Sequence, residues 1–338
     1  MLTLCAVSAL FFACGDKDNK NDNGNGGGGN EDPIVITEGA LNGTFSVSET
    51  QKVAFSKGNL QYQPSTRLFR FAEEQYDYVG DANKTITNDT LGIWFDLFGW
   101  GTSGYHNSGD ANNKHYLPDD YGKFQEVVNG TYNFYGFGPS TNMDDADLTG
   151  SSAKYDWGVN NAISNGGNAS GKWRTLTKDE WVYLLNERTA STIGSTANAR
   201  YAKAKLNVPK DTITADVCGL IIFPDNYTHP EGVPALSRIN QANANYNQTF
   251  IYEDWKKMEE AGCVFLPAAG RREVFNKNHA CRVVSPGTVG NYWSATHSDF
   301  APSTGNLAYE VLFSMELLDP ASSNNRNGGR SVRLVQNR

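Results

Sequence analysis

The chain has 338 residues, 39% of them hydrophobic and 12% aromatic, with 29 Lys and Arg against 37 Asp and Glu for a net charge of −8. Length and apolar fraction allow a sizeable core in one large domain or two. The acidic balance, with basic residues scattered in runs no longer than two, excludes nucleic acid as a partner, because a phosphate-binding surface needs concentrated Lys and Arg.

Leu2 to Ala13 is a short apolar segment ending in Phe11-Phe12-Ala13-Cys14, the pattern of a signal-peptide hydrophobic region followed by a bacterial lipobox. Residues 1–13 are therefore expected to be removed and Cys14 to carry the lipid. The alternative is a buried core helix, which the polar tract that follows would leave with nothing to pack against. No Lys or Arg precedes the apolar run, so the start codon is expected farther upstream. Residues 14–40 read as a flexible tether rich in Gly, Asn and Asp. This tract lacks the Glu that closes an EF-hand calcium loop. Beyond residue 14 no stretch is apolar enough to span a bilayer.

Short strands are expected at Val35–Thr37, Gly43–Ser48 and Lys52–Ser56, then a hairpin over Leu60–Phe71 turning at Pro64 and Ser65. A helix is expected to begin within Glu73–Tyr78. From His106 to Gly171 the composition predicts long loops with a brief strand near Thr131–Phe137. Thr177 and Glu180 form a capping box, with Leu176 and Trp181 as the apolar staple, so a helix should start there and run toward Arg188. Ala202–Leu206 and Gly219–Pro224 read as strands, the second buried on both faces. A second helix over Tyr252–Ala261 puts Trp255 and Met258 on one face and ends at Gly262, followed by a strand at Val264–Leu266.

The end of the chain reads as a β-meander. Strands at Gly290–Thr296, Ala308–Phe313 and Gly328–Val335 alternate apolar side chains inward, while polar loops at His297–Asn306 and Leu317–Gly328 stay in solvent. Strands, two separated helices and long loops together predict the α+β class.

Beyond the export segment only Cys218, Cys263 and Cys281 remain. An exported chain can form one bridge among them, with Cys263 and Cys281 favoured by their short intervening loop, or bury all three as small hydrophobes. The five histidines, His106, His115, His229, His279 and His297, fall in polar loops at no metal-ligand spacing. Asp119-Asp120 and Asp144-Asp145 read as solvated pairs rather than as an acid with its base. The aromatics Trp94 and Trp100, and Tyr132, Tyr135 and Phe137, read chiefly as core, with a sugar-stacking platform as the alternative.

Several segments carry a resemblance: Phe55-Ser-Lys-Gly-Asn-Leu-Gln-Tyr62, Trp94-Phe-Asp-Leu-Phe-Gly-Trp-Gly101, Trp173-Arg-Thr-Leu-Thr-Lys-Asp-Glu-Trp181, Val264-Phe-Leu-Pro-Ala-Ala-Gly270, Gly290-Asn-Tyr-Trp-Ser-Ala-Thr296 and Gly328-Gly-Arg-Ser-Val-Arg-Leu-Val335. Together they resemble the C-type-lectin-like fold used by formylglycine-generating (sulfatase-modifying) enzymes and by Bacteroidetes surface lipoproteins. The resemblance implies one such domain over residues 41–338, with short antiparallel sheets, two main helices and long loops. Acidic residues after the lipidated cysteine resemble the signal for the outer face of the outer membrane. Asp89-Thr-Leu91 and Asp211-Thr-Ile213 resemble the O-glycosylation sequence of the same group.

The oxidase of that superfamily holds copper with a cysteine pair near the C-terminal core, and this chain has no cysteine after Cys281. The Glu-Pro-Asn and Trp-Asn-Asp motifs of calcium-dependent sugar binding are also missing. No catalytic residue, cofactor or metal is therefore expected. The terminal region is similar to variable proteins of diversity-generating retroelements, with an ordinary Asn/Ser-rich loop as the alternative. Asn-type codons could yield most of its filling, whereas Met315 and Glu316 would have to stay fixed. The expected ligand-binding residues are His297, Ser298, Asp299, Phe300, Ser303, Asn306, Asp319, Ser323, Asn324, Asn325 and Asn327. Their ligand would be an extracellular protein or glycan, with the membrane engaged through the lipid anchor. An enzyme of altered chemistry and a structural pilus or matrix lipoprotein are the alternatives.

Overall fold

The largest sheet is built around a strand whose residues alternate between two cores. Strand β8 (Ile213–Ile222) pairs along its whole length with β7 (Tyr201–Lys210) and on its other edge with β10 (Val264–Pro267); β9 (Thr249–Ile251) adds a parallel edge to β7. Because successive side chains point to opposite faces, Leu220 and Ile222 of β8 and Val264 and Leu266 of β10 enter one core, while Val217, Ile221 and Phe265 enter another. Both faces of this sheet are covered, which is why Gly219–Ile222 reads as a continuous apolar run.

The computed structural model describes residues 38–84, 92–105, 125–128, 131–134, 146–210, 213–274, 281–298 and 307–338, and residues Ile36–Arg338 form one compact unit. Few helices and many short strands in small sheets place the protein in the α+β class. The signal segment, Cys14, the tether up to residue 37 and the strand expected at Val35–Thr37 lie outside the described residues. So do the two aspartate pairs, His106, His115 and His279, Tyr135 and Phe137, and nearly all of both glycosylation-like sequences.

The α-helices are short, and the first two are capped at their starts by the Asp156 and Thr177 side chains. After α1 (Trp157–Asn160), α2 (Lys178–Val182) starts at Thr177, whose hydroxyl accepts the Glu180 amide while the Glu180 carboxylate accepts the Thr177 amide. Leu176 and Trp181 then meet in the first core. A π-turn over Tyr183–Glu187 follows, and the buried Arg188 closes it by donating to Leu184 O at 2.8 Å and pairing with Asp225 at 2.7 Å. Thr177→Ala is expected to cost about 1 kcal/mol, measurable as a lower urea midpoint at unchanged slope. In α3 (Tyr252–Glu260) Trp255 and Met258 face the second core, and Gly262 follows with φ +92°, where a side chain would be strained.

The third core is aromatic. β3 (Leu60–Gln63) and β4 (Leu68–Phe71) form the expected hairpin, and Tyr62, Phe69, Phe71, Phe98, Trp100, Trp157, Trp173 and Trp293 cluster beneath it. Trp100 is thus core, whereas Trp94 is half-buried with the Arg70 guanidinium 3.9 Å above its ring. β5 (Gln125–Val128) and β6 (Thr131–Phe134) pair as an antiparallel hairpin, and at the amino end β2 (Lys52–Phe55) lies between β1 (Phe45–Ser46) and the last strand, β16 (Val335–Asn337).

Four expectations are corrected. Glu73–Tyr78 is a run of turns, and a 3₁₀ helix at Gly80–Lys84 comes later. Here tertiary bonds displaced helical ones: the buried Gln75 amide donates to Cys263 O and accepts the Phe265 N–H. Leu317–Gly328 is mostly strand β15 (Leu318–Asn325), because ladder hydrogen bonds need only a partner backbone. Gly328–Leu334 forms no continuous strand; it bridges three separate segments, and only Val335 enters a ladder. No disulfide joins Cys263 to Cys281, or either of them to Cys218. Cys263 is buried in the second core before β10, and Cys281 opens β12 (Cys281–Val284), which pairs with β11 (Arg271–Val274) in a different sheet.

Candidate ligand-binding face at the end of the terminal sheet

The last meander is a three-stranded sheet in the order β13-β14-β15, with β13 at Gly290–Ser298 and β14 at Leu307–Phe313. Its register gathers predicted residues from distant positions. His297 pairs with Ala308, which pairs with Asn324; one step nearer the sheet end, Ser298 pairs with Leu307, which pairs with Asn325. Cross-strand partners share a face. The His297–Ala308–Asn324 row therefore lies on the face of the buried Ala308, and the Leu307–Asn325 row faces outward together with Tyr309 and Ser323.

The other predicted residues separate from these. Asp319 sits at the opposite end of β15, opposite Leu312. Asn327 is 6% exposed and Ser298 4%, so neither presents its side chain to solvent, contrary to a loop that stays wet. Burial follows from position: Asn327 lies where the chain turns into the frame beside Arg326, whose guanidinium donates to Leu307 O at 2.9 Å and covers the Trp100 ring at 4.6 Å. Asp299, Phe300, Ser303 and Asn306 lie outside the described residues.

Two neighbours without any local sequence signal hold this end of the sheet, one on each face. Asp147 Oδ1 accepts the His297 amide at 3.0 Å and lies 2.7 Å from His297 Nδ1, fixing the ring at the strand end from 150 residues away. Lys178, the first residue of α2, places its ammonium 5.3 Å above the Tyr309 ring, and its amide donates to Thr296 Oγ1 at 3.0 Å. The result is a row of small amide and hydroxyl groups beside an aromatic ring with its cation. Such groups form hydrogen bonds and stacking contacts with a ligand.

Under the face, the motif-bearing frame is a buried lattice of arginines. Arg330 Nε lies 2.5 Å from Glu310 Oε2, with both side chains no more than 2% exposed, and Asn291 Nδ2 donates to the second carboxylate oxygen at 3.0 Å. Arg272 donates to Asn83 O and Leu97 O, and Arg333 to Gln75 Oε1. Indole N–H groups join the same weave: Trp293 donates to Phe98 O at 2.7 Å and Trp100 to Ser294 O at 2.8 Å. Paired backbone bonds link Phe98 to Arg330 and Arg272 to Gly329. The Trp94–Gly101, Gly290–Thr296 and Gly328–Val335 motifs are thus one interlocked unit.

His229 serves structure, with Nδ1 against the Tyr227 hydroxyl and Nε2 against the Val233 and Pro234 carbonyls. Among the described residues no three His, Cys, Asp or Glu side chains gather as a metal site, and no helix is long and apolar enough to cross a membrane. No protein-family model, curated protein or solved structure matches the chain.

Proposed function

We propose that this chain is a lipid-anchored protein of the outer membrane surface whose C-type-lectin-like domain binds an extracellular protein or glycan without chemistry. The observation that carries the reading is the register of the terminal sheet. It draws Tyr309, Ser323 and Asn325 onto an outer face beside Lys178, over a frame locked by buried arginines. Loops and strand ends held on a rigid sheet are where recognition concentrates, and small polar residues with a tyrosine supply adaptable contacts at low entropic cost.

The full chain displayed on cells, and a variant carrying Ser323→Arg and Asn325→Arg, are to be compared on arrays of glycans and extracellular proteins. Wild type is expected to select a ligand that the variant retains at least about tenfold more weakly, at an unchanged unfolding midpoint. Equal retention by both overturns the assignment of this face. Palmitate labelling of wild type that disappears in Cys14→Ser is the expected mark of the anchor.

A further inference from the structure

Lys203, the lysine that is buried among the described residues, meets no carboxylate in its hydrogen bonds. It sits on β7 opposite Leu220 and is 3% exposed. Its ammonium donates to four main-chain carbonyls: Ala242 at 2.6 Å, Ser314 at 2.7 Å, Leu317 at 2.9 Å and Ala244 at 3.1 Å. Two of these acceptors flank the Met315–Glu316 turn that joins β14 to β15, itself closed by the Ser314 amide on Leu317 O at 2.8 Å. The other two belong to the segment between β8 and β9. Burial pushes the ammonium down to about 8, so it remains charged at neutral pH.

An ammonium has three N–H donors, so four carbonyls oversupply it. A convergent set of main-chain carbonyls is how proteins replace the hydration shell of a small monovalent cation. A side chain without N–H would take this donor from the Ala242, Ala244 and Ser314 carbonyls, a costly state for buried polar groups, while Leu317 O would keep the Ser314 amide. The geometry also has an outward consequence, since the turn held in this way exposes Met315 by 50% and Leu317 by 44%.

We propose that the four carbonyls form a cage for a primary ammonium group, that Lys203 fills it with its own side chain, and that this occupancy positions the Ser314–Leu317 tip against the β7 sheet. The cage lies at the end of the terminal sheet opposite the proposed recognition face and does not depend on that reading.

Hydrogen exchange on the full chain tests it. Lys203→Ala is expected to speed exchange of the Ser314–Leu317 and Ala242–Ala244 amides by about tenfold or more. Propylammonium, which restores the missing amine, is expected to reverse the effect, and tetramethylammonium, which has no N–H, to leave it unchanged. Lys203→Met fills the stem volume without a donor and is expected to exchange fast with no rescue. Wild-type exchange in either variant, or fast exchange in Lys203→Ala that propylammonium does not selectively reverse, overturns the proposal. Should Lys203→Ala not fold, the wild-type chain decides: a slowly exchanging ammonium signal from Lys203 at neutral pH is expected, and its absence overturns the cage.

Discussion

Arg330→Met alone is expected to destabilise the protein by about 3–5 kcal/mol. The loss comes less from the missing attraction than from what stays behind. Glu310 is 0% exposed, and without Arg330 its side chain keeps, among the described residues, the hydrogen bond from the Asn291 amide at 3.0 Å. A buried carboxylate in that position must either ionise without compensation or take up a proton. Glu310→Leu with Arg330→Met removes both charges, and replacing a buried ion pair by apolar groups of similar volume is often neutral or stabilising. The double variant is therefore expected to regain most of the single variant's loss in urea unfolding. A double variant no better than Arg330→Met would show that shape around Gly328 and Trp293, not charge, sets the cost. Gly328 approaches closely, since a Cβ there would lie 2.6 Å from Arg330 Nη1.

Asp96 is expected to make stability fall as pH rises from about 4 to about 6. The carboxylate is 0% exposed and accepts the Val79 amide and the Asn83 side-chain amide, each at 2.7 Å. Burial outweighs those bonds and the nearby Arg272, raising the group to about 6 from an ordinary value of 3.8. The folded chain thus binds a proton that the unfolded chain has lost, so its contribution is complete below about 4 and disappears as pH passes 6. The swing is about 3 kcal/mol, because the carboxyl rises by roughly two on the pH scale and a difference of one there is worth about 1.4 kcal/mol. Asp96→Asn cannot titrate, so the difference between wild-type and variant unfolding free energies is expected to change by that amount between pH 4 and pH 7. A difference that stays constant across that range would mean the carboxylate titrates normally.

Arg330 and Asp96 both belong to the motif-rich frame, and that frame divides cleanly into what local pattern reveals and what it does not. Trp181, Leu184 and Leu185 announced their helix because capping chemistry and apolar spacing are encoded within a dozen residues, and the capping box is present as expected. The β3–β4 hairpin, β7, β8, β10 and α3 were legible for the same reason: periods of two or 3.6 residues report which face is buried. Leu318–Asn325 was not legible, because an edge strand with a polar face has a loop's composition, and its ladder depends on a partner elsewhere in the chain.

The candidate face was half legible. Asn324, Asn325 and His297 could be picked out as polar residues of expected loops and lie at the ends of strands, yet Ser298 and Asn327 share their chemistry and are buried. Nothing local distinguishes the two sets. Asp147, Lys178 and Tyr309 carried no signal at all, since each gains its role from an element brought alongside by the fold.

The amino-acid order alone therefore settled the α+β class, the core positions of the regular elements and the capping of α2, all of which depend on neighbours within a turn or a strand. Long-range packing settled which arginines lie inside, which turns are pinned and which polar side chains reach water. Those outcomes rest on burial and on hydrogen bonds between segments up to 297 residues apart, such as Arg338 with Leu41 O, and burial is a property of the assembled chain.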